Sequence, residues 1–573
     1  MNVIRRKTET VKAFMGLDQR PKPHEAGFAQ MKNMTCERLP LMAAREPRER
    51  VRTLGHPGGL FAHDRLCWVD GRDFYYDGKA VGRVSEGEKQ FVRMGAQVLI
   101  WPDAVRYNAV TGEFASLGDS FTTYSDVDVT CTLCKLDGTE YEEYTTGKEA
   151  PLNPVNGTLW LDTSAEPNVL RYYSVTAAMW LNVPTVYTKI QSVGIGAKFK
   201  KNDGVTISGM TLEMLNGSFV LVDAAQDYVI VIALIPKAHT QAERVTISRT
   251  IPEMDFVCEN DNRIWGCSNK THEIYACVLG DPTNWSRYLG LDSDSYAVTV
   301  GTAGDFTGCA AHAGNVLFFK ENTIHQIMGT APKNFTLTDS VSRGVAKGSE
   351  RSLAHANEYL LYKSPMDVCM MGMSTMPSTV SGRLGKAEYK NCTAGTLGSR
   401  YFMNAETEDG SCVMLVYDTD SGTWCAEDDA HVTHFATLDS VLYMLEANGE
   451  IWAVGEAPEH LKDESAQTEE TVCWEVTTGP IGLDEPYSKY ISGVQLHVGC
   501  GLGSKLKAEV RYDGQGIWNR VFRLDAVKVR SLVIPVIPKR CRTMEIRLKG
   551  EGEFELYSIT KAIEQGSDVY AAK

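Results

Sequence analysis

The sequence contains no long apolar run. Its most hydrophobic stretch, 229–235 (VIVIALI), is bounded by Asp227 and Lys237 and suits a buried strand, whereas a bilayer-spanning helix needs roughly 20 apolar residues. The opening Met1-Asn2-Val3-Ile4-Arg5-Arg6-Lys7 turns polar at once and lacks the apolar centre of a signal peptide. The expectation is a chain that is neither inserted in a membrane nor exported by the usual route. Phosphate-binding motifs are missing as well. The Gly-Lys pairs at 78–79, 147–148 and 385–386 are preceded at the required position by Asp73, Glu142 and Val380, so none is a Walker loop. Gly194-x-Gly196 has Phe199, and Gly499-x-Gly501 has Ser504, where a dinucleotide fingerprint needs glycine. No G-x-S-x-G nucleophile elbow or H-E-x-x-H helix occurs.

Metal and redox chemistry are thinly provided for. The fifteen cysteines are scattered and odd in number, which predicts reduced thiols packed in cores. Only Cys131 and Cys134 have ligand-like spacing. A structural zinc needs four ligands, and no second CxxC exists. The surroundings, 127–136, read as a strand and not as the βαβ setting of a thioredoxin-like site. His431 and His434 are three apart, a spacing that on a strand sends them to opposite faces. No catalytic residue, cofactor or metal site is therefore expected.

At 573 residues and 63.3 kDa, the chain is long enough for roughly three to four domains. Its net charge of −15 is unevenly spread. Residues 1–52 contain twelve Lys/Arg and six Asp/Glu, a net of +6, leaving 46 basic and 67 acidic groups, a net of −21, to the remainder. A basic, proline-containing arm on an acidic body suggests docking onto an acidic neighbour. Arg5, Arg6, Lys7, Arg45, Arg48 and Arg50 are the candidate assembly contacts. Phosphate binding is the competing use of such residues, but the arm also holds acids and has few aromatics on which bases would stack.

What the sequence has in abundance is one pattern: a short apolar strand, a tight polar turn, then an alternating strand ending in an aromatic. It occurs at 65–77 (RLCWVDGRDFYYD), 97–108, 263–277, 316–329, 358–372, 400–424 and 441–455. Each has the period-two alternation and central turn residues of a β-hairpin. Starts at 263, 316, 358, 400 and 441 are 53, 42, 42 and 41 residues apart, and a repeat of roughly 40–50 residues is that of a four-stranded propeller blade. Seven hairpins predict a β-propeller of six or seven blades; a run of meanders in a β-sandwich is the alternative.

The pattern is interrupted at about 120–250, too long for a loop and rich in Thr, Val, Tyr and Gly. The organisation expected is a basic arm at 1–56, a first propeller part at 57–120, an inserted β domain at 121–250 and the rest of the propeller at 251–457. An acidic linker at 458–470, a C-terminal β-sandwich at 471–560 and a tail at 561–573 follow. Propellers can carry glycosidases, whose chemistry needs paired carboxylates. Asp420-x-Gly422-x-Trp424 is a single, shortened echo of the sialidase Asp-box. Phe74-Tyr75-Tyr76 would serve as a sugar platform or fill an inter-blade core.

Two regions resemble a known family. Phe14-Met15-Gly16-Leu17-Asp18, then Gly27-Phe28 with Met31-Lys32-Asn33-Met34-Thr35, then Leu39-Pro40-Leu41 and Arg45, resemble the start of many phage tail proteins. Gly280-Asp281-Pro282-Thr283-Asn284-Trp285 and Lys320-Glu321-Asn322-Thr323-Ile324-His325-Gln326-Ile327 are similar to segments of tail nozzle or DNA-stabilisation proteins (tail tubular protein B-like) of short-tailed phages. The resemblance implies a non-enzymatic virion structural protein, assembled in the host cytoplasm into a hexameric nozzle or tail-hub ring. It would contact adaptor and connector proteins and fibre or appendage proteins, and its lumen would pass the genome during DNA ejection without sequence-specific binding. The arm and C-terminal sandwich would form the platform, the propeller the outer wall, and the insert a fibre dock or nozzle extension. A receptor- or glycan-binding tail propeller and a propeller glycoside hydrolase remain as alternatives.

Overall fold

Each hairpin read from the sequence lies inside one small antiparallel sheet, of four strands in six cases and five in the seventh. In the computed structural model, which describes residues 6–141, 143–373, 376–483, 488–525 and 531–565, the sheets lie at 57–83, 90–116, 256–299, 308–341, 354–379 and 389–426. The seventh comprises Val432–Leu438, Val441–Glu446, Glu450–Val454, then Glu49–Thr53 from the far N-terminal region, and Gln467–Thr468 at its edge. These are seven blades of a β-propeller, numbered 1 to 7 in that order, so the upper of the two expected blade numbers holds. The tight turns have a local cause. Asp261-Asn262 and Asp439-Ser440 hold positive φ at both loop positions, the requirement of a two-residue type I′ hairpin. Second strands such as Arg263–Ser268 are buried at every position, as a strand covered on both faces must be.

The chain divides into two compact units. The first holds blades 1, 5, 6 and 7 and the C-terminal sandwich. One sandwich sheet has the order Phe28–Lys32, Cys473–Thr478, Met544–Glu551, Lys505–Tyr512, Asn519–Asp525. The other is built on the long pair Lys489–Cys500 and Phe554–Gln565, with Arg6–Val11, Met34–Thr35 and Met42–Ala44 added from the N-terminal region. Phe14, Phe28, Met34 and Met42 share one core with Trp474, Leu548 and Leu556. The basic segment is thus strand material of the sandwich and of blade 7, and not a free arm. The acidic stretch expected as a linker contributes Gln467–Thr468, paired with Glu49 and Arg50. The strand ending at Gln565 runs through Lys561, the expected start of a tail. Lys561 is buried and paired with Glu9 and Glu25; residues 566–573 lie outside the described residues.

The second unit contains blades 2 and 3 and the insert, whose strands run from Ser120–Thr122 to Thr246–Ser248 in sheets of four, five and four strands. Its core gathers Val129, Ile190, Val205, Val229, Val231 and Ile247. The motif at 280–285 ties this insert to blade 3. Asp281 Oδ1 accepts bonds from Thr283 N (3.0 Å) and Oγ1 (2.6 Å), closing the turn. Buried Asn284 then accepts from Gly204 N (3.2 Å) and donates to Asn202 O (3.2 Å).

The first resembling stretch is also a staple. Phe14 sits in the sandwich core, while Leu17 sits in the core of blades 5 and 6. Between them Gly16, at φ +68°, lies so close to blade 6 that a Cβ would stand 2.2 Å from Thr423 Cγ2 and 2.3 Å from Trp424 O. Leu17 N donates to Trp424 O at 2.7 Å. The sequence predicts reduced thiols throughout; the structure instead joins Cys36 to Cys425 of blade 6 as a disulfide, 389 residues apart in sequence. Replacing Gly16 by Ala combines a left-handed backbone with overpacking, an expected loss of about 2–5 kcal/mol. A urea titration followed by tryptophan fluorescence reads this as a lower midpoint; an unchanged midpoint would show that the staple is not under this constraint.

Candidate functional site

Strand Glu49–Thr53 enters blade 7 beside Glu450–Val454, and the residues leading into it bring arginine side chains against acids of the same chain. Arg45 grips Glu469 with two nitrogens (2.6 and 2.9 Å), reaches Asp428 at 3.4 Å, and donates from Nε to Asn33 Oδ1 at 2.8 Å. Arg48 pairs with both Glu427 and Asp428, and its backbone N donates to Glu469 at 2.8 Å. Arg48 and Glu427 have side chains only 5% and 4% exposed. Arg50 bonds Glu450 at 2.6 Å and the Ser465 carbonyl at 2.9 Å. Beside these pairs lies a cleft of about 820 Å³, whose lining includes Arg400 paired with Glu37 and Lys462 paired with Glu49.

The electrostatics follow from more acid than base in a desolvated place. Burial pulls the Arg48 guanidinium down, but Asp428 and Glu427 outweigh it, so Arg48 stays charged with a raised pKa. Burial likewise opposes ionisation of Glu469, yet hydrogen bonds from Arg45 and Arg48 hold it below the usual carboxylate range. Glu427 is shifted upward, first by burial and then by the like charge of Asp428, against the pull of Arg48. Glu446 is pushed up to about 7 by burial, Glu450 and Asp428.

The nominated residues thus separate into two groups. Arg45, Arg48 and Arg50 direct their charge into the fold. Arg6 and Lys7 lie on the exposed strand Arg6–Val11 at the side of a sandwich sheet, Lys7 paired with Glu9; Arg5 lies outside the described residues. The acid partners could not be matched to the arm from sequence, although the five glutamates at 456–470 were a visible counter-charge.

Other singled-out residues are fold elements. Cys131 and Cys134 are both buried on Val129–Cys134, their thiols pushed up by burial to about 12 and about 11 and so poor in thiolate. His431 precedes the strand on which it was expected, while His434 lies within Val432–Leu438, held near 3 by burial and then by Arg351. Around the Asp-box echo, Asp418 accepts from Ser421 N, Ser421 Oγ and Ser399 Oγ (3.1, 2.6 and 2.7 Å), and Trp424 is fully buried. Phe74 is fully buried, Tyr75 stacks on Trp68 at 5.4 Å, and the Arg52 guanidinium lies over the Trp68 ring at 4.3 Å. Among the described residues no three His, Cys, Asp or Glu side chains converge on a metal position, and no helix is long and apolar enough to cross a membrane.

No protein-family model and no curated protein matches this chain. Among solved structures, "Structure of U3-55K" is similar at 6% identity, over 71% of this chain and 98% of that one, with a TM-score of 0.29. The RRP9 WD40 repeats match at 6% identity over 70% and 96%, with a TM-score of 0.27. An exo-β-1,3-galactanase of Phanerochaete chrysosporium matches at 12% identity over 53% and 94%, with a TM-score of 0.21. At these values the roles of those proteins stay with them.

The raised pKa of Glu446 fixes a sign. A carboxyl that binds its proton more tightly when folded stabilises the fold fully below its ordinary 4.5, and this contribution disappears as pH rises through about 7. His434, with its depressed pKa, acts oppositely but only below its ordinary 6.5. Between pH 6.5 and about pH 8.5 the wild-type melting temperature is expected to fall, and Glu446→Gln to reduce that fall. Parallel pH profiles for the two proteins would contradict this reading.

Proposed function

We propose that the chain is a structural, non-enzymatic protein of a phage tail: a nozzle or hub subunit that assembles as a six-membered ring. In this reading it docks adaptor, connector and fibre proteins in the virion and conducts genomic DNA without reading its sequence. The observation that carries the reading is the use made of the residues resembling tail proteins. Gly16 and Leu17 staple the sandwich to blade 6, and Asn284 anchors the insert to blade 3. They build a scaffold and carry no reacting groups, as an assembly protein requires.

The charge distribution supports the same reading. Since Arg45, Arg48 and Arg50 pair within the chain, the surplus of the net −15 chain is acidic, and an acidic wall repels phosphates, letting a duplex slide. Contacts between neighbours would then involve the exposed strand Arg6–Val11, since such strands are templates for pairing with another chain. Negative-stain microscopy with mass photometry on the purified protein, alone and with tail components, tests this. The expected result is rings of about six subunits with an axial channel. A persistent monomer that adheres to host cells would overturn it.

A further inference from the structure

The insert contains a small sheet whose two faces differ in chemistry. Its strands are Thr145–Gly147, Leu159–Asp162, Val169–Ser174 and Met179–Asn182. The register places Trp160, Arg171 and Asn182 directly across from one another, with Tyr173 opposite Trp180 two residues further along. Alternation therefore puts these five and Asp162 on one face and leaves Leu161 and Leu170 on the other. Leu161 and Leu170 are fully buried, so the sheet is anchored by this second face, which also carries Tyr172 and Leu181.

The aromatic face is held in a fixed arrangement. Trp180 meets Trp160 and Tyr173 edge-on, each with ring centroids 5.4 Å apart. Arg171 donates from Nε to Asp162 at 3.0 Å and from Nη1 to Asn182 Oδ1 at 2.9 Å, with its guanidinium 5.9 Å from the Trp160 ring. Tyr173 and Trp180 nevertheless remain partly exposed, and Asn182 is exposed.

We infer that this face is a binding site for a neutral saccharide, with pyranose rings lying against Tyr173 and Trp180 and hydroxyls bonded by Asn182 and Arg171. The charge complement selects the class of ligand. The carboxylate of Asp162 neutralises Arg171, and the only other charges between 145 and 182 are Lys148, Glu149 and Glu166. A nucleic acid or phosphorylated ligand needs surplus cations, which this face does not offer. A neutral sugar needs what is present: aromatic planes for its C–H faces and planar amide and guanidinium groups already oriented for its hydroxyls. The inference stands on the insert alone and does not depend on ring formation.

The test uses the full chain on an array of neutral glucan, galactan and mannan oligosaccharides, with sialylated and uronate-bearing glycans as charged controls. Retention of neutral saccharides is expected, weakened roughly tenfold by Trp180→Ala and several-fold by Asn182→Ala. The second variant lies on an exposed side chain and serves where the first disturbs folding. Failure to retain any neutral saccharide, preference for the charged glycans, or equal binding by wild type and Asn182→Ala would overturn the assignment. Capture of a protein appendage through Trp180 without saccharide binding would overturn it too, and make the face a protein dock.

Discussion

The buried pairing of Arg45 and Arg48 with Glu427, Asp428 and Glu469 is the interaction on which the first unit depends. A blade built from consecutive hairpins ends one strand short, and here Glu49–Thr53 supplies the fourth strand of blade 7. Arginines leading into that strand carry charge into a desolvated place, which is costly unless the charge is met. Five side chains pair there, with Arg48 Nε alone left buried without a partner, so the residues leading into this strand are committed to acids of their own chain.

The same region is committed a second time, in the sandwich. Strands Arg6–Val11, Phe28–Lys32, Met34–Thr35 and Met42–Ala44 add to sheets otherwise made from residues beyond 472, and the Gly16 staple and the Cys36–Cys425 disulfide bind this composite to blade 6. In the second unit Asn284 plays the equivalent part between blade 3 and the insert. Its aromatic sheet is then presented from a fixed base.

Local features were legible from sequence and non-local ones were not. Every central hairpin was visible because period-two burial and turn residues with positive φ are encoded within about a dozen residues. Outer strands such as Lys79–Arg83 and Ser378–Thr379 carry little apolar signal, being largely exposed. The fourth strand of blade 7 was hidden because Glu49–Thr53 (ERVRT) reads as part of a basic arm until its partner, some 400 residues away, is known. The charge split revealed that the arm needed acids, yet composition could not distinguish acids of a neighbour from Glu427, Asp428 and Glu469 of the same chain. The disulfide was missed for the same reason, since scattered cysteines say nothing about which two the fold brings together. In the small aromatic sheet, the alignment of Trp160 with Arg171 and of Tyr173 with Trp180 needed the register.

The central claim, that the arginines turned inward hold the N-terminal strand in place, is tested most directly by a double-mutant cycle. Wild type, Arg48→Met, Glu427→Gln and the double variant are compared by equilibrium urea unfolding. The account predicts a favourable coupling of about 1–3 kcal/mol between the two sites, each single variant leaving the other side chain buried with its pairing disturbed. A coupling near zero would contradict it, and would return these arginines to the pool of residues available for contacts with neighbouring proteins.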